Sequence, residues 1–147
     1  MSLLRLHARA HVLADPRDDL RRVKRVLIVE DDPDTGALLA KVLEERLGVT
    51  TEHVANGALV IDAVAAAPPD LLILDVWLPG MNGLDVFDLL RGDARTAGMS
   101  VIFLTASAER ARDALDHQGV RDVFTKPFDV EVLVSRVDAL LARPAAA

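Results

Sequence analysis

The residues best suited to chemistry in this chain stand directly after short apolar segments. We interpret these segments as buried strands of a parallel sheet: Val26–Val29, Leu71–Leu74, Val101–Leu104 and, more weakly, Val123-Phe124. Parallel strands bring their carboxyl ends to one edge, where ligands bind in open α/β sheets. We therefore expect one crevice to collect two carboxylates, a hydroxyl and an ammonium, from Asp31, Asp75, Thr105 and Lys126. Such a set suits a metal ion and a phosphoryl group.

Three adjacent acids, Glu30, Asp31 and Asp32, follow the first of these segments. Their carboxylates repel one another unless a cation neutralises them, and Mg²⁺ prefers oxygen ligands, often one or two carboxylates with water and phosphate. Asp32 precedes Pro33, so we assign it to capping the next helix. For Glu30 and Asp31 we favour metal binding over simple solvation, because Asp75 is expected across the same crevice.

Asp75 ends the most apolar of the segments, where burial of a carboxylate is costly unless it has a partner. It could be a metal ligand, a nucleophile toward phosphorus, or both. Thr105 could hold a phosphoryl oxygen, and Lys126 could neutralise developing charge. Taken singly, Thr105 could be an ordinary strand residue and Lys126 a surface cation before Pro127. Their occurrence together with two acids favours the site.

Strand and helix signals alternate along the chain. The predicted strands are Arg25–Glu30, Thr50–Ala55, the segments that end at Asp75 and at Thr105, and Asp122–Thr125. Five such units predict an α/β fold: a doubly wound, five-stranded parallel sheet with helices on both faces.

Capping residues and breaks mark the predicted helices. The first runs from Asp32 to Gly48, the second from Asn56 to the prolines at 68 and 69, and the third from Gly83 to Arg91. A fourth would begin at Ser107 and end near Gln118-Gly119. The last would begin near Asp129, with apolar residues at helical spacing: Val130, Leu133, Val134, Val137, Leu140 and Leu141.

Length and composition predict one domain without disulfides or thiolate metal sites, because the chain has 147 residues and no Cys. We assign residues 1–22 to a basic extension with one short helix or none, 23–143 to the domain, and 144–147 to an Ala-rich tail. No apolar stretch approaches the roughly 20 residues of a membrane span, so we expect no membrane insertion and a cytoplasmic location.

Charge is unevenly distributed. Residues 1–25 hold seven basic and three acidic side chains, whereas the rest of the chain holds ten basic and twenty acidic ones. The acidic body argues against direct binding of nucleic acid by this domain. We interpret the basic segment as solvated linker rather than as an interaction arm.

Four motifs of the chain resemble those of the receiver domains of two-component response regulators: Val26–Asp34, Asp75–Gly83, Phe103–Ala106 and Thr125–Phe128. The resemblance extends from about Arg25 to Arg143. It implies a flavodoxin-like sheet with strand order 2-1-3-4-5. It also implies a cis peptide bond between Lys126 and Pro127, a form whose free-energy cost is lower before proline than before other residues.

The same resemblance implies that Asp75 accepts a phosphoryl group from a partner's phosphohistidine in a Mg²⁺-dependent reaction. Glu30 and Asp31 would be the acid pair that holds Mg²⁺, Asp31 directly and Glu30 through water. The carboxylate of Asp75 and the main-chain carbonyl of Trp77 would be further ligands. Beyond the metal site, Thr105 would be the switch hydroxyl that moves to the phosphoryl group.

Lys126 would be the counter-ion of that phosphoryl group, and two departures from the family pattern lie close to it. Family members usually carry Tyr or Phe three residues before the lysine, where this chain has Val123. Phe124 is adjacent but is predicted to face the other side of its strand. The interval from Thr105 to Lys126 is also one residue shorter than is usual. Both departures concern the output face rather than the phosphorylation site.

The leading functional interpretation is a stand-alone receiver, similar to chemotaxis regulators, because no recognisable output domain follows Arg143. We expect a histidine kinase or phosphotransfer protein and an unknown output protein as partners, and no direct nucleic-acid partner; a weak dimer is left open. We expect no enzymatic activity beyond self-catalysed phosphoryl acceptance and slow hydrolysis.

Other functions stay open to different degrees. A constitutive docking module is kept open by Val123, and the chain could equally be a fragment of a larger response regulator. A Mg²⁺-dependent aspartyl-phosphate phosphatase would need an acid two residues after the nucleophile, where Trp77 stands. A flavin domain would need a phosphate cradle after the first strand, where Glu30, Asp31 and Asp32 would repel phosphate.

Overall fold

The computed structural model describes residues 22–107, 109, 112, 115, 116, 120 and 122–143. Five strands form one parallel sheet in the order β2-β1-β3-β4-β5. They are β1 (Arg25–Val29), β2 (Thr50–Val54), β3 (Leu71–Asp75), β4 (Ser100–Thr105) and β5 (Val123–Thr125). The predicted fold class and strand order are confirmed. Three strand ends differ from the prediction by one residue, since Glu30, Ala55 and Asp122 lie just outside their strands.

Helices connect the strands. They are α1 (Pro33–Leu47), a 3₁₀ turn (Gly57–Leu59) that leads into α2 (Val60–Ala66), α3 (Gly83–Gly92) and α4 (Val130–Leu141). Between β4 and β5, Glu109, Arg112, Leu115 and Asp116 are helical, and the other residues predicted for that helix lie largely outside the described residues. The predicted extension, apart from Arg22, and the tail 144–147 also lie outside them. In the part of the chain described, no helix has the length and apolarity that crossing a membrane requires.

Both ends predicted for α1 and the start predicted for α4 are present, and polar side chains satisfy free N–H groups at the two helix starts. Asp32 caps α1 by accepting from Asp34 N at 3.3 Å, and Gly48 ends the helix with a φ of 65°. Asp129 caps α4 by accepting from two main-chain N–H groups, at 2.9 and 3.2 Å. Asn56 caps the 3₁₀ turn rather than α2 itself. The acids of the Glu30–Asp32 run therefore have different tasks, with Asp32 committed to the helix.

The sheet separates two apolar layers, because successive side chains of a strand point to opposite faces. Leu27 and Val29 pack on one face with the buried residues of α2 and α3, while Val26 and Ile28 pack on the other with those of α1 and α4. All five residues of β3 are buried. The prediction of helices on both faces is thus confirmed.

The alternation also holds at β5, where the aromatic departure lies. Val123 packs against the layer of α2 and α3, and Phe124 against the layer of α1 and α4. Phe124 therefore faces away from the side that Val123 occupies, as predicted. In the register of the sheet, Asp75 lies beside Leu104 and Thr105 beside Thr125. The carboxyl ends of neighbouring strands consequently meet at one edge, which carries the candidate site.

Candidate functional site

Three acids from two strand ends meet at this edge. Carboxylate oxygens of Glu30, Asp31 and Asp75 lie within 4.8 Å of one another. Glu30 is only 1% exposed and Asp75 only 4%, whereas Asp31 is exposed. Two negative charges are thus held in a place where burial is costly, beside a third that faces solvent.

Lys126 lies between the two buried acids. Its Nζ donates to Glu30 Oε2 and to Asp75 Oδ2, at 2.7 Å in each case. Burial lowers the pKa of Lys126, but the hydrogen bonds to the two carboxylates outweigh burial and hold the pKa above its ordinary value. Burial raises the pKa of Glu30, and the Lys126 hydrogen bond opposes that rise. The lysine therefore compensates both acids before any phosphoryl group is present.

Main-chain N–H groups complete the contacts of the buried carboxylates. Trp77 N donates to Asp75 Oδ1 at 3.0 Å, and Asp32 N donates to Glu30 Oε1 at 3.1 Å. Each buried acid accordingly receives one main-chain donor and one ammonium hydrogen bond. The role predicted for the carbonyl of Trp77 stays a prediction. Trp77 as a whole is 38% exposed.

Thr105 stands at the same edge and is fully buried. Its Oγ1 accepts from Ser107 N at 3.1 Å, and its main-chain oxygen accepts from Lys126 N at 2.8 Å. In this conformation the hydroxyl is engaged with the loop that follows β4. The predicted cis peptide bond between Lys126 and Pro127 is present.

The loop after Asp75 returns close to the strand end. At Gly83, the first residue of α3, a Cβ atom would lie 2.2 Å from the main-chain oxygen of Asp75. Only glycine admits this approach without moving the backbone. Gly83 N also donates to Val76 O at 2.8 Å, so the loop that contains Trp77 closes on itself directly beside the acids.

The charges of this cluster fit a divalent cation. Three carboxylates face one ammonium, which leaves two negative charges when all four groups are ionised. The ligand atoms are hard oxygens, the kind that Mg²⁺ prefers. Glu30, Asp31 and Asp75 are therefore the acids that could hold the predicted ion.

One contact of the site was missed by the sequence interpretation. His53 of β2 has its Nε2 at 2.7 Å from the main-chain oxygen of Glu30. Nothing in the polar sequence of β2 predicts this contact, because a main-chain acceptor has no residue type that a pattern could reveal. The only sequence signal was Gly36 inside α1, on which the ring of His53 packs.

Comparison with known proteins agrees with this geometry. The family model for the response regulator receiver domain matches residues 26–138. The DNA-binding response regulator MtrA of Mycolicibacterium smegmatis is 39% identical over 121 residues, covering 82% of this chain and 51% of that protein. The DNA-binding dual master transcriptional regulator RpaA of Synechocystis is 38% identical over 121 residues, covering 81% of this chain and 49% of that protein.

The fold of this chain is also similar to solved structures of receiver domains. The signal receiver domain of a signal transduction histidine kinase from Syntrophus aciditrophicus has a TM-score of 0.75 at 37% identity, covering 82% of this chain and 91% of that one. The BeF3-activated N-terminal receiver domain of RstA from Klebsiella pneumoniae has a TM-score of 0.71 at 29% identity, covering 81% and 99%.

These relatives correct one expectation. The prediction of no nucleic-acid partner is wrong, because the matched regulators are named as DNA-binding. Its reasoning used the acidic charge of one domain, and such a charge constrains only contacts made by that domain. The chain spans about half the length of the curated relatives it matches. The expectation of a stand-alone receiver, which relied on finding no output domain after Arg143, is therefore not supported.

Proposed function

This chain belongs to the family of response regulator receiver domains, and we propose that it is a phosphorylation switch whose phosphoacceptor is Asp75. The observation that carries the proposal is the buried carboxylate of Asp75, held beside two further acids and hydrogen-bonded to Lys126 at 2.7 Å. A structural ion pair would need one acid for one lysine. Three clustered acids leave negative charge that calls for a cation.

In the proposed reaction an oxygen of the Asp75 carboxylate attacks the phosphorus of a phosphohistidine on a partner. An O–P bond forms, the P–N bond breaks, and the imidazole leaves with the bonding electron pair. Catalysis of such a transfer consists mostly of positioning and of stabilising charge on the phosphoryl oxygens. Lys126 Nζ lies 2.7 Å from Asp75 Oδ2, close enough to stabilise that charge as it develops.

The proposed Mg²⁺ ligands are Asp31, Asp75, the main-chain carbonyl of Trp77 and, through water, Glu30. When bound, the ion supplies neutralisation of the negative charge shared by the acids and the phosphoryl oxygens. The chain itself orients the carboxylate of Asp75 through hydrogen bonds from Lys126 Nζ and from Trp77 N.

The switch step is proposed for Thr105. Its hydroxyl now accepts from Ser107 N, and a hydroxyl can also donate. A phosphoryl oxygen on Asp75 would attract that donor, since hydrogen bonds to anions are the strong ones. The loop that begins at Ala106 would move with it.

We propose a histidine kinase or phosphotransfer protein as the source of the phosphoryl group. The proposed output is nucleic-acid binding by a longer protein, because the curated relatives are named DNA-binding response regulators and this chain spans about half their length. The proposed chemistry of the domain is limited to its own phosphoryl acceptance and slow hydrolysis.

Intact mass spectrometry after incubation with acetyl phosphate and Mg²⁺ tests the proposal. Wild type should gain one phosphoryl group, and Asp75→Ala should gain none. Asp62→Asn, which changes an exposed acid of α2, is the matched control and should label like wild type. Equal labelling of Asp75→Ala and wild type would refute the assignment. Loss of labelling on removal of Mg²⁺ with EDTA tests the metal requirement separately.

A constitutive docking module is the second candidate, and Val123 is the observation that favours it. Amide chemical shifts recorded with and without beryllofluoride and Mg²⁺ distinguish the two. Shifts that extend from Asp75 to Thr105 and the following loop support the switch. An unchanged spectrum would support constitutive docking.

A further inference from the structure

The main chain of Glu30 is held on both sides by the edge strand β2. Glu30 N donates to Val54 O at 3.1 Å, which continues the pairing of β1 with β2 for one residue. On the other side, the Glu30 oxygen lies 2.7 Å from His53 Nε2. A carbonyl oxygen can only accept, so Nε2 carries the hydrogen of this bond.

Fixing that oxygen fixes more than Glu30. The carbonyl of Glu30 and the N–H of Asp31 belong to one planar peptide unit, so the hydrogen bond from His53 restricts ψ of Glu30 and φ of Asp31 together. These two dihedrals set the direction of the Asp31 side chain relative to that of Glu30. Among the described residues no strand pairing restrains this peptide, since the registers of β1 with β2 and with β3 both end at Val29.

Gly36 of α1 makes the contact sterically feasible. A Cβ atom at this position would lie 2.3 Å from Cε1 and 2.5 Å from Nε2 of His53, well inside contact distance. Glycine in a helix is unfavourable compared with alanine, because it has more backbone entropy to lose. Its presence at the fourth position of α1, under the imidazole ring, has a physical reason if the ring must lie there.

We propose that His53, admitted by Gly36, is a positioning residue that holds the Glu30–Asp31 peptide and so aims the acid pair of the Mg²⁺ site. The inference rests on the proposed function, because it concerns the metal site assigned there. Neither residue touches the ion or the phosphoryl group. Their effect passes through the orientation of the two carboxylates, as outer contacts of metal ligands generally act.

The test is a titration with MgCl₂ followed by the fluorescence of Trp77, the only Trp of the chain, and by amide chemical shifts. His53→Leu removes the donor and should weaken Mg²⁺ binding about five- to tenfold. His53→Gln keeps an N–H donor and should remain within about twofold of wild type. Rescue by Gln separates a role of the hydrogen bond from a general packing role of the ring.

Gly36→Ala tests the same contact independently, by a change in α1 rather than in His53 itself. The added methyl group displaces the ring toward solvent, so Mg²⁺ binding should weaken about as much as in His53→Leu. The urea midpoint of the metal-free protein should stay the same or rise, because alanine favours the helix. In the His53→Leu background, Gly36→Ala should weaken Mg²⁺ binding no further, since both changes remove one contact.

Asp31→Asn separates failure of this inference from failure of the proposed function. If it abolishes Mg²⁺ binding while His53→Leu and Gly36→Ala both bind like wild type, the positioning role is refuted and the metal site stands. If Asp31→Asn itself binds like wild type, the ion is bound elsewhere and both assignments are wrong. Should His53→Leu fold poorly, Gly36→Ala alone decides, because the atoms nearest to the added methyl group belong to the ring of the exposed His53.

Discussion

Lys126 should be essential for the stability of the metal-free domain, because it is the cation that compensates two buried acids. Its Nζ donates to Glu30 and to Asp75 at 2.7 Å, and the side chains of these acids are 1% and 5% exposed. Lys126→Met keeps much of the aliphatic stem and removes the charge. We expect this change to lower the free energy of unfolding in EDTA at neutral pH.

The size of the loss follows from opposing contributions. Hydrogen bonds to charged groups contribute roughly 1.5–3 kcal/mol each, and breaking a buried pair costs roughly 3–5 kcal/mol. Two effects reduce this loss. Lys126→Met no longer has to bury an ammonium group, and in wild type solvent screens part of the interaction, because the Lys126 side chain is 24% exposed. We therefore expect a loss of about 2–4 kcal/mol.

Urea denaturation followed by circular dichroism measures this loss, and urea is used because it adds no ionic strength. Lys41→Met, which changes an exposed lysine of α1, is the control and should change the free energy of unfolding by less than about 0.5 kcal/mol. Adding Glu30→Gln to Lys126→Met should recover part of the loss, because one of the two uncompensated charges is removed.

If Lys126→Met unfolds at the same urea concentration as wild type in EDTA, Lys126 does not compensate the buried acids. If Glu30→Gln makes the double mutant less stable still, Glu30 stabilises the fold through contacts other than Lys126, which also contradicts the prediction. Mg²⁺ should stabilise Lys126→Met more than wild type, because the ion would compensate the same carboxylates.

Three further predictions concern separate parts of the fold. Hydrogen bonds from Arg95 lower the pKa of Asp93 to about 2, so its contribution to stability is present above the ordinary value of 3.8 and is lost as the pH falls to about 2. Carboxyl ¹³C NMR should show this pKa in wild type and a higher one in Arg95→Gln, which loses the side-chain hydrogen bonds but keeps the one from the main-chain N–H of residue 95. Asp129→Ala removes the cap of α4 and should cost about 1 kcal/mol by urea denaturation, whereas Asp129→Ser should cost less. On addition of beryllofluoride, the amide chemical-shift changes in Val123–Thr125 should be smaller than those near Asp75. The reason is that Val123 is short and stiff at χ1 and cannot move between two packing sites as an aromatic ring would. Equally large changes in both regions would contradict this prediction.

The sequence predicted that Asp31, Asp75, Thr105 and Lys126 meet at one edge of the sheet, because topology decides where strand ends lie. Once the apolar segments before Glu30 and Asp75 were recognised as parallel strands, their carboxyl ends had to share an edge. The hydrogen bonds between the side chains of the site could not be predicted from the sequence. Lys126 was predicted as a partner of a phosphoryl group, whereas its two hydrogen bonds, one to Glu30 and one to Asp75, follow only from side-chain geometry.

Boundaries that depend on hydrogen bonding were predicted less well than boundaries marked by caps. Gly48 and Asp129 define helix ends through backbone conformation and side-chain acceptors, and both were identified from residue type. Asn56 was predicted to start the second helix, but the first turn after it is 3₁₀ rather than α. The choice between these two geometries depends on packing of the turn, where a Cβ atom at Gly57 would lie 1.7 Å from Met81 O.

The His53 contact illustrates what residue patterns cannot express. Its acceptor is a main-chain oxygen of Glu30, and its steric condition is the absence of an atom at Gly36, so neither partner has a side chain that signals the interaction. Helix propensity alone counts Gly36 as a defect of α1. Local rules tend to be broken where function requires it, and a glycine that is unfavourable in its own helix but admits a hydrogen bond to the acid pair fits that expectation.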